Sequence, residues 1–354
     1  MHLRQTFNIT LFLILFVNIS LVKAQYVTPE FIKKHTTSLL KEALQNPDKV
    51  YGFILWDRKL DTLPATFGQL VNLRRMTVMY SNLQELPITF GKLQHLTELT
   101  FYNHRLRTLP PEIGQLKKLK TLTIEKSLEV LPPEIGQLDG LQKLKVYKTS
   151  LASLPKQIGQ LTSIKWLWLG ENKIEKIPAS LGNLKTLVQL QLDYNKLTEV
   201  PTTLGDLKNL QRLWLDHNQL TTFPASLTKL NKLHDLIVSY NQLKQLPASL
   251  GKLKSLISFG ISNNQLRQLP HTIGQLAKLR TLNANDNLLT SLPSTIGQLK
   301  NLKNLYLSNN RLTRLPGSIA QLKKLKNLHL NNNPISEAEL KRIKKLLPNT
   351  YVQF

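Results

Sequence analysis

The sequence predicts an α/β solenoid, in which short repeated units stack in a row and share one parallel β-sheet. The first observation is a period: the 23 residues from Leu187 to Asn209 are followed by two closely similar stretches of the same length. The second is a set of in-phase prolines, spaced by 23 residues except for one step of 22: Pro64, Pro87, Pro110, Pro132, Pro155, Pro178, Pro201, Pro224, Pro247, Pro270, Pro293 and Pro316. Units of such an array bury their apolar faces against one another, so we interpret the array as one solenoid and not as two or three separate domains.

Each unit opens with a short strand. In the unit that begins at Leu187, one residue separates Leu190 from Leu192, and an alternation of period two places both side chains on one face. Strands of successive units, stacked about 4.8 Å apart, form a parallel sheet with a continuous core.

Three residues predict how the chain leaves the strand. Asn195 lies at the turn, where its amide has the donors and the acceptor to satisfy unpaired backbone groups. Pro201 pre-sets φ for the return segment and donates no hydrogen bond. Gly205 is expected either to have a positive φ or to lie where another backbone segment approaches closely.

The pattern LxxLxLxxNxLxxLPxxIGxL, which covers about Val50 to Ile335, resembles the leucine-rich repeat. Its LPxxIGxL half is similar to the 23-residue class of secreted bacterial repeat proteins and of Ras-suppressor and disease-resistance-type repeat domains. The resemblance implies a horseshoe of about 13 repeats with a parallel concave sheet, whose concave face binds partners. It does not fix the partner, because fold alone does not determine function.

Residues 1–24 form a predicted secretory signal peptide. Arg4 precedes an apolar run from Ile9 to Val22, and cleavage is expected after Ala24. The alternative is a membrane anchor, but a run of about 14 residues is short for a bilayer span. We therefore expect a secreted protein, and the sequence leaves the periplasm, the cell surface and the medium open.

The chain contains no cysteine. This excludes a lipidated N-terminal cysteine, disulfides, thiolate zinc sites and cysteine nucleophiles. Many secreted repeat proteins of animals close their ends with disulfides, so the composition favours a bacterial protein.

Helical caps are predicted at both ends of the repeats, over residues 25–49 and 336–354. Thr28 is the expected N-cap of a helix that runs to Gln45, with Pro29 at its first position. At the other end, Ser336 and Glu339 form a predicted capping box. The last residues, from Tyr351 onward, are expected to form a final extended piece.

Between the caps, residues 50–335 hold thirteen strand units, which differ at the asparagine position. The first five units carry Arg58, Ser81, His104, Ser127 and Thr149 there. The last eight carry an unbroken predicted ladder of Asn172, Asn195, Asn218, Asn241, Asn264, Asn287, Asn310 and Asn333. The unit with one residue missing, at Ser127, lies in the first group, so we expect a local kink there and a less regular N-terminal half.

Aromatic residues concentrate at the third, fifth, seventh and eighth positions of the units, which face the concave surface or its rim. The candidate partner-binding surface comprises Tyr147, Trp166, Trp168, Tyr194, Trp214, Ile237 and Tyr240. Exposed aromatic clusters are typical of contact surfaces, where Trp and Tyr dominate the binding energy. The alternative is that these rings stack on one another and only stiffen the sheet.

Charged side chains lie near the same surface, among them Asp193, Asp216, His217 and Asp235. A carboxylate pair beside a histidine is compatible with acid–base or metal chemistry. An open sheet face excludes water poorly, however, and no nucleophile is apparent. We therefore interpret these residues as a solvated polar rim and predict a non-enzymatic protein without metal or other cofactor.

A formal net charge of +25 is the other prominent feature. Lysine and arginine recur at the positions that flank the first strand residue, and stacking places them along one edge of the solenoid: Lys117, Lys118, Lys120, Lys278, Arg280, Lys300, Lys303, Lys323, Lys324 and Lys326. Acidic polymers bind such an edge by counterion release. The alternative is a solvated face that keeps a long solenoid soluble.

The leading functional hypothesis is an interaction module that binds a protein, or a glycan, through the aromatic surface. A polyanion binder that uses the lysine edge is the second hypothesis, and a scaffold in signalling or adhesion is the third. The oligomeric state and the role of the first five units stay open.

Overall fold

The computed structural model describes residues 40–56 and 59–354. In this part of the chain, fourteen strands form one sheet in chain order, and every neighbouring pair is parallel. The strands are β1 (Gly52–Leu55), β2 (Arg75–Met79), β3 (Glu98–Tyr102), β4 (Thr121–Glu125), β5 (Lys143–Tyr147), β6 (Trp166–Trp168), β7 (Gln189–Gln191), β8 (Arg212–Trp214), β9 (Asp235–Ile237), β10 (Ser258–Gly260), β11 (Thr281–Asn283), β12 (Asn304–Tyr306), β13 (Asn327–His329) and β14 (Tyr351–Gln353). The predicted solenoid is confirmed.

A short 3₁₀ turn follows the proline of each unit and returns the chain to the next strand. Pro201, with φ of −64° and ψ of 145°, directly precedes one such turn. The turns are Ala65–Gln69, Ile88–Lys92, Pro111–Gln115, Pro133–Gln137, Lys156–Gln160, Ala179–Asn183, Thr202–Asp206, Ala225–Lys229, Ala248–Lys252, His271–Gln275, Ser294–Gln298 and Gly317–Gln321.

The core lies between the sheet and these turns. Leu190 and Leu192, the alternating strand residues, are fully buried together with Leu204 and Leu207 of the return segment. The side chains that alternate with them, such as Gln191, reach the opposite face of the sheet. The repeated apolar residues therefore form one continuous core, as the period predicts.

The glycine of the return segment is required by a close approach and not by its φ. A Cβ on Gly205 would lie 2.3 Å from the backbone oxygen of Ser226 in the next unit, whereas no described glycine has a positive φ. The left-handed conformation belongs instead to the residue before the asparagine position: φ is 51° at Tyr194 and 52° at His217. This conformation is uncommon for residues other than glycine, so the packed turn must impose it.

The missing residue at Ser127 changes the turn and leaves the sheet intact. Lys126 and Ser127 both have positive φ, and the N–H of Leu128 donates to the carbonyl of Lys126 at 2.8 Å. Strands β4 and β5 still pair over five residues, with Thr121 opposite Lys143. The deletion is absorbed within one turn. The first five units do differ from the rest in strand length: their strands have four or five residues, whereas β6 to β13 have three.

At the N-terminal end, residues 40–45 are helical and Leu40 is buried against the core. The predicted signal peptide, the first part of the predicted capping helix and Arg58 lie outside the described residues. None of the helices that the structure describes is long and apolar enough to cross a membrane.

The C-terminal helix, Glu337–Leu346, corrects one detail of the predicted capping box. The Oγ of Ser336 accepts from the backbone N–H of Glu339 at 3.3 Å, as expected. The Glu339 carboxylate does not return to Ser336, because it accepts from Arg342 at 2.6 Å and from the N–H of Leu315 at 3.0 Å. The carboxylate thus ties the helix to the last full repeat. Strand β14 then extends the sheet, which is the predicted final extended piece.

Candidate functional site: the aromatic concave face

The candidate site lies on the concave side of strands β5 to β9, and we call its seven predicted residues the aromatic face: Tyr147, Trp166, Trp168, Tyr194, Trp214, Ile237 and Tyr240. The sheet register places Trp168, Gln191, Trp214 and Ile237 opposite one another on four consecutive strands. Trp166 stands two residues before Trp168 on the same strand. The residues come together because the repeat period puts equal positions of successive units side by side.

The aromatic face is accessible to solvent. Tyr194 and Tyr240 are 50% and 48% exposed, and Trp166 is 37% exposed. The other four residues of the face are half-buried against their neighbours.

The rim of the face is a stack of three rings. His217 lies between Tyr194 and Tyr240, with ring centroids 3.8 Å and 4.0 Å apart and planes within 15° of parallel. All three residues have the left-handed conformation described above, which directs equivalent side chains from successive units in one direction. The rim therefore has features of both roles considered for the aromatic residues. Its rings stack on one another, as in a stiffening role, and two of them stay half exposed, as in a contact surface.

Two lysines of β5 lie against the aromatic face. The Nζ of Lys143 is 4.2 Å from the centroid of the Trp168 ring, and the Nζ of Lys145 is 3.9 Å from that of Tyr147. Partial burial, and next the charge of Lys143, lower the pKa of the Lys145 ammonium. Among the described residues, neither lysine has a carboxylate oxygen within 4.0 Å. These cations are held by ring faces and not by ion pairs.

Tyr147 has its own hydrogen bond at this end of the face. Its hydroxyl donates to Glu125 at 2.8 Å. Burial, and then this bond to a carboxylate, raise the pKa of the Tyr147 hydroxyl. The phenol therefore remains protonated and oriented at neutral pH.

Carboxylates surround the other end of the face. The indole N–H of Trp214 donates to Asp235 at 3.0 Å, and the Nδ1 of His217 is 3.0 Å from Asp216. Burial, with a further contribution from the charge of Asp216, raises the pKa of Asp193. The Oδ1 of Asp193 and the indole nitrogen of Trp168 are both buried without a hydrogen-bond partner.

The repeat period predicts that the aromatic residues and the aspartates lie near one surface, but the contributions of Lys143, Lys145 and Glu125 were not predicted. The two lysines stand at the third and fifth positions of their unit, so counting from Leu141 would have found them. The sandwich of His217 between two tyrosines had a similar signal, because all three residues occupy the eighth position of successive units.

The face offers contact surface and charge, with little that supports bond-making chemistry. No group of three or more acidic or histidine side chains with metal-binding geometry exists among the residues described. Asp193 and the Asp216–His217 pair are half-buried on an open sheet, with no closed pocket around them to exclude water from a reacting group. The arrangement is suited to binding.

The asparagines of the predicted ladder lie outside this face, buried in the turns behind its rim. The amide nitrogen of Asn195 donates to the carbonyls of Leu169, Leu192 and Asp193 at 2.9, 3.0 and 3.1 Å. Its Oδ1 accepts from the N–H of Ile174 in the preceding unit at 2.9 Å. Asn218, Asn241, Asn264, Asn287, Asn310 and Asn333 repeat this set of four bonds. Asn172 also donates three times, but its Oδ1 accepts from Thr149.

The lysine edge lies at the positions that flank the strands. Its ten residues are exposed except for Lys303, which is half-buried. Some of these ammonium groups have local partners: Lys117 donates to the carbonyl of Gln137 at 2.7 Å, and Lys324 donates to Asn301 at 2.8 Å. Bonds of this kind hold the lysines along the edge and leave their charge exposed.

Together, the parallel sheet and the 3₁₀ return turns define a solenoid repeat protein, and its aromatic face is exposed on the sheet. Family comparison agrees: the model of a leucine-rich repeat region matches residues 61–149 and 144–244. Further leucine-rich repeat models match residues 232–289 and 300–342. The chain belongs to the leucine-rich repeat family. No curated protein sequence matches the chain.

Solved structures give the same result. A leucine-rich repeat protein from Leptospira interrogans is 36% identical over 89% of this chain and 98% of its own, with a TM-score of 0.55. A plant peptide hormone receptor, RGFR1 in complex with RGF2, is 29% identical over 80% of this chain and 50% of its own, with a TM-score of 0.68. An internalin from Listeria monocytogenes is 19% identical over 90% of this chain and 93% of its own. Its TM-score is 0.70, and it shares the fold.

Proposed function

We propose that this protein is a non-enzymatic interaction module that binds a protein partner through the aromatic face. The observation that carries the proposal is the exposure of Trp166, Tyr194 and Tyr240 on a sheet that several strands hold rigid. Rigid aromatic side chains lose little conformational entropy on binding, and Trp and Tyr dominate protein–protein hot spots. The similarity to a receptor solved in complex with RGF2 supports the same use of the fold.

We also infer that the protein works outside the cytoplasm. The predicted signal peptide supports this inference. The similar proteins from Leptospira interrogans and Listeria monocytogenes support a bacterial origin. A glycan remains an alternative partner, since aromatic ring faces also stack on sugars.

The test compares the protein with a variant in which Trp166, Trp168 and Trp214 are replaced by Ala. Both are measured in a surface-binding assay against cell-surface and host protein extracts, at low and high salt. Tyr306→Ala, which removes an aromatic residue of β12 outside the aromatic face, is the matched control. Circular dichroism checks that all variants are folded.

Binding that resists salt, disappears in the tryptophan variant and persists in the Tyr306→Ala control is the expected result. Each truncated hot-spot residue is expected to weaken binding about tenfold or more. Equal binding by the tryptophan variant and the parent would contradict the proposal.

A second candidate function, binding of an acidic polymer, has its own supporting observation. Backbone hydrogen bonds of 2.8 Å join Lys303 to Arg280 and Lys326 to Lys303, so these three cations stand on consecutive rungs of the sheet edge. Such a row matches the regular charges of a polyanion. Affinity for a sulfated polysaccharide should then fall steeply with salt, and it should fall further when the three residues are replaced by Gln.

A further inference from the structure

The aromatic face divides into a cationic end and an acidic end. Lys143 and Lys145 lie at the β5 end, and Asp193, Asp216 and Asp235 lie in the units of β7, β8 and β9. Arg212, which is opposite Asp235 in the register, offsets one of these negative charges. In the formal balance, Glu125 offsets one of the two lysines, so one positive charge remains at one end and two negative charges at the other.

The cationic end has unused capacity for an anion. Glu171 is 3.8 Å from Lys148 and Glu125 accepts from Tyr147, and both carboxylates offset part of the positive charge at Lys145 without an ion pair to it. Lys143 and Lys145 contact only ring faces among the interactions described for them. Burial, and next the charge of Lys143, lower the pKa of Lys145, and a carboxylate placed between the two ammonium groups would relieve their mutual repulsion.

The acidic end has unused capacity for a cation. The Oδ1 of Asp193 is shielded from solvent and makes no well-formed hydrogen bond, although the neighbouring Gln191 side chain favours the charged form of this carboxylate. Gly170, in the preceding unit, has no side chain beside it, and a Cβ there would lie 2.5 Å from this oxygen. Asp216 contacts His217 and stands next to Asp193 in the row of equivalent positions. Because both aspartates are only half-buried, a basic group of a ligand could pair with the accessible side of these two carboxylates.

The two ends are separated by two to three rungs of the sheet and by two residues along the strands. With rungs about 4.8 Å apart and about 3.3 Å per residue, Lys145 lies roughly 12–16 Å from the two aspartates. An extended peptide covers this distance with about four to five residues. Trp168 and Trp214 lie between the two ends, where the apolar side chains of such a peptide would pack.

We propose that the aromatic face binds an extended peptide segment of its protein partner, one that carries an acidic residue four or five positions from a lysine or arginine. The acidic side chain contacts Lys143 and Lys145, and the basic side chain contacts Asp193 and Asp216. Residues between them contact Trp168 and Trp214. This inference rests on the proposed function and adds the charge pattern of the partner.

The experiment selects peptides from a displayed library of random 12-residue sequences on the full-length protein. Three variants run in parallel: Lys143→Gln with Lys145→Gln, Asp193→Asn with Asp216→Asn, and the tryptophan variant described above. The first two remove charge and keep nearly the same side-chain size. Circular dichroism again checks the fold, and one enriched peptide is synthesised for affinity measurements at two salt concentrations.

On the parent protein, enriched peptides should carry the acidic and basic residues at the predicted separation, with apolar residues between them. The lysine variant should lose only the acidic preference, and the aspartate variant only the basic preference. Each should bind the synthetic peptide about tenfold more weakly or worse.

Two results would overturn the charge pattern while preserving the aromatic face as a binding site. One is a set of peptides that needs the tryptophans but shows no paired charges. The other is an identical selection by the parent and both charge variants. A lack of any enriched peptide also rejects the inference, and enrichment that is unchanged in the tryptophan variant would reject the proposed function as well.

Discussion

The first five units and the last eight form the same sheet but hold their turns in different ways. In the first group, one side chain serves its own turn: Ser81, His104 and Thr149 each accept the N–H of the residue two positions further on. In the second group, that N–H is bound by the asparagine of the next unit, as Leu197 is by Asn218. The first arrangement is mainly local, with single bonds between units such as that from the Oγ of Ser127 to the carbonyl of His104 at 2.6 Å, whereas the second joins neighbouring repeats through two bonds at each asparagine.

The difference also explains the change in strand length. Asn195 donates to the carbonyl of Leu192 in its own unit and to that of Leu169 in the unit before. In β2 to β5, the backbone ladder continues for two more residues at this point. From β6 onward, the asparagine side chain occupies the carbonyls there, and the strand ends. A serine, histidine or threonine lacks the second donor that such a network requires. We infer that the asparagine ladder couples the last eight units more tightly than the first five are coupled.

The largest expected effect comes from breaking this coupling. Asn218→Leu removes the bonds of two amide N–H groups, which three carbonyls share, and of the amide oxygen; at roughly 1 kcal/mol each, with a further cost for the backbone groups left unpaired, the free energy of unfolding should fall by about 3–4 kcal/mol. Urea unfolding measures the change. Asn209→Leu is the control: its amide is exposed, water can replace its bonds, and the loss should stay below about 1 kcal/mol. Equal losses in the two variants would refute the ladder.

The repeat period can be read directly from the sequence, so most of the features that the two groups of units share or differ in could be predicted from the sequence. Counting in steps of 23 residues identifies the strands, the core leucines and the eight asparagines without any structure. The left-handed residue before each asparagine was not predicted: Glu171 and Tyr194 have no preference for that conformation, whereas Asn263, Asp286, Asn309 and Asn332 do, and this signal was missed. Packing between units imposes the conformation at Glu171 and Tyr194.

The candidate site was predicted with the same limits. Equal positions in successive units had to be neighbours, so the row from Trp168 to Ile237 followed from the period. The placement of Lys143 and Lys145 over rings did not, because long flexible side chains select their contacts only in three dimensions. The carboxylate of Glu339 is a similar case, since its choice of Arg342 over Ser336 depends on how the C-terminal helix meets the last repeat.

His104 provides a pH-dependent test of the first group. Burial lowers the pKa of His104 to about 4, and its Nε2 has no hydrogen-bond partner. The unfolded chain, with an ordinary pKa near 6.5, therefore binds more protons between pH 6.5 and 4. Stability contributed by the neutral ring is present above pH 6.5 and is lost as the pH falls, by about 3 kcal/mol at pH 4.

The variant His104→Asn removes the titrating group. It also gives one of the first five units the asparagine that the last eight units carry at this position. Its free energy of unfolding should lose less than that of the parent between pH 7 and pH 4, as measured by urea unfolding at each pH. His95→Asn is the matched control, because His95 is exposed and its variant should show the acid sensitivity of the parent. Identical pH profiles for the parent and His104→Asn would show that the buried ring does not determine acid stability.

The smallest expected effect tests whether the first five units are held locally. Ser81→Ala removes the hydroxyl that accepts the N–H of Leu83 at 3.1 Å, a bond within one turn. Since only this bond and a weaker one of 3.5 Å to the carbonyl of Leu60 are lost, unfolding should become easier by about 1 kcal/mol. Hydrogen exchange should quicken in the turn after β2, while β7 to β9 keep their protection. The free energy of unfolding could instead fall as much as in Asn218→Leu, with faster hydrogen exchange in distant strands. Serine would then couple repeats as strongly as asparagine does, and the contrast between the two groups would have no energetic basis.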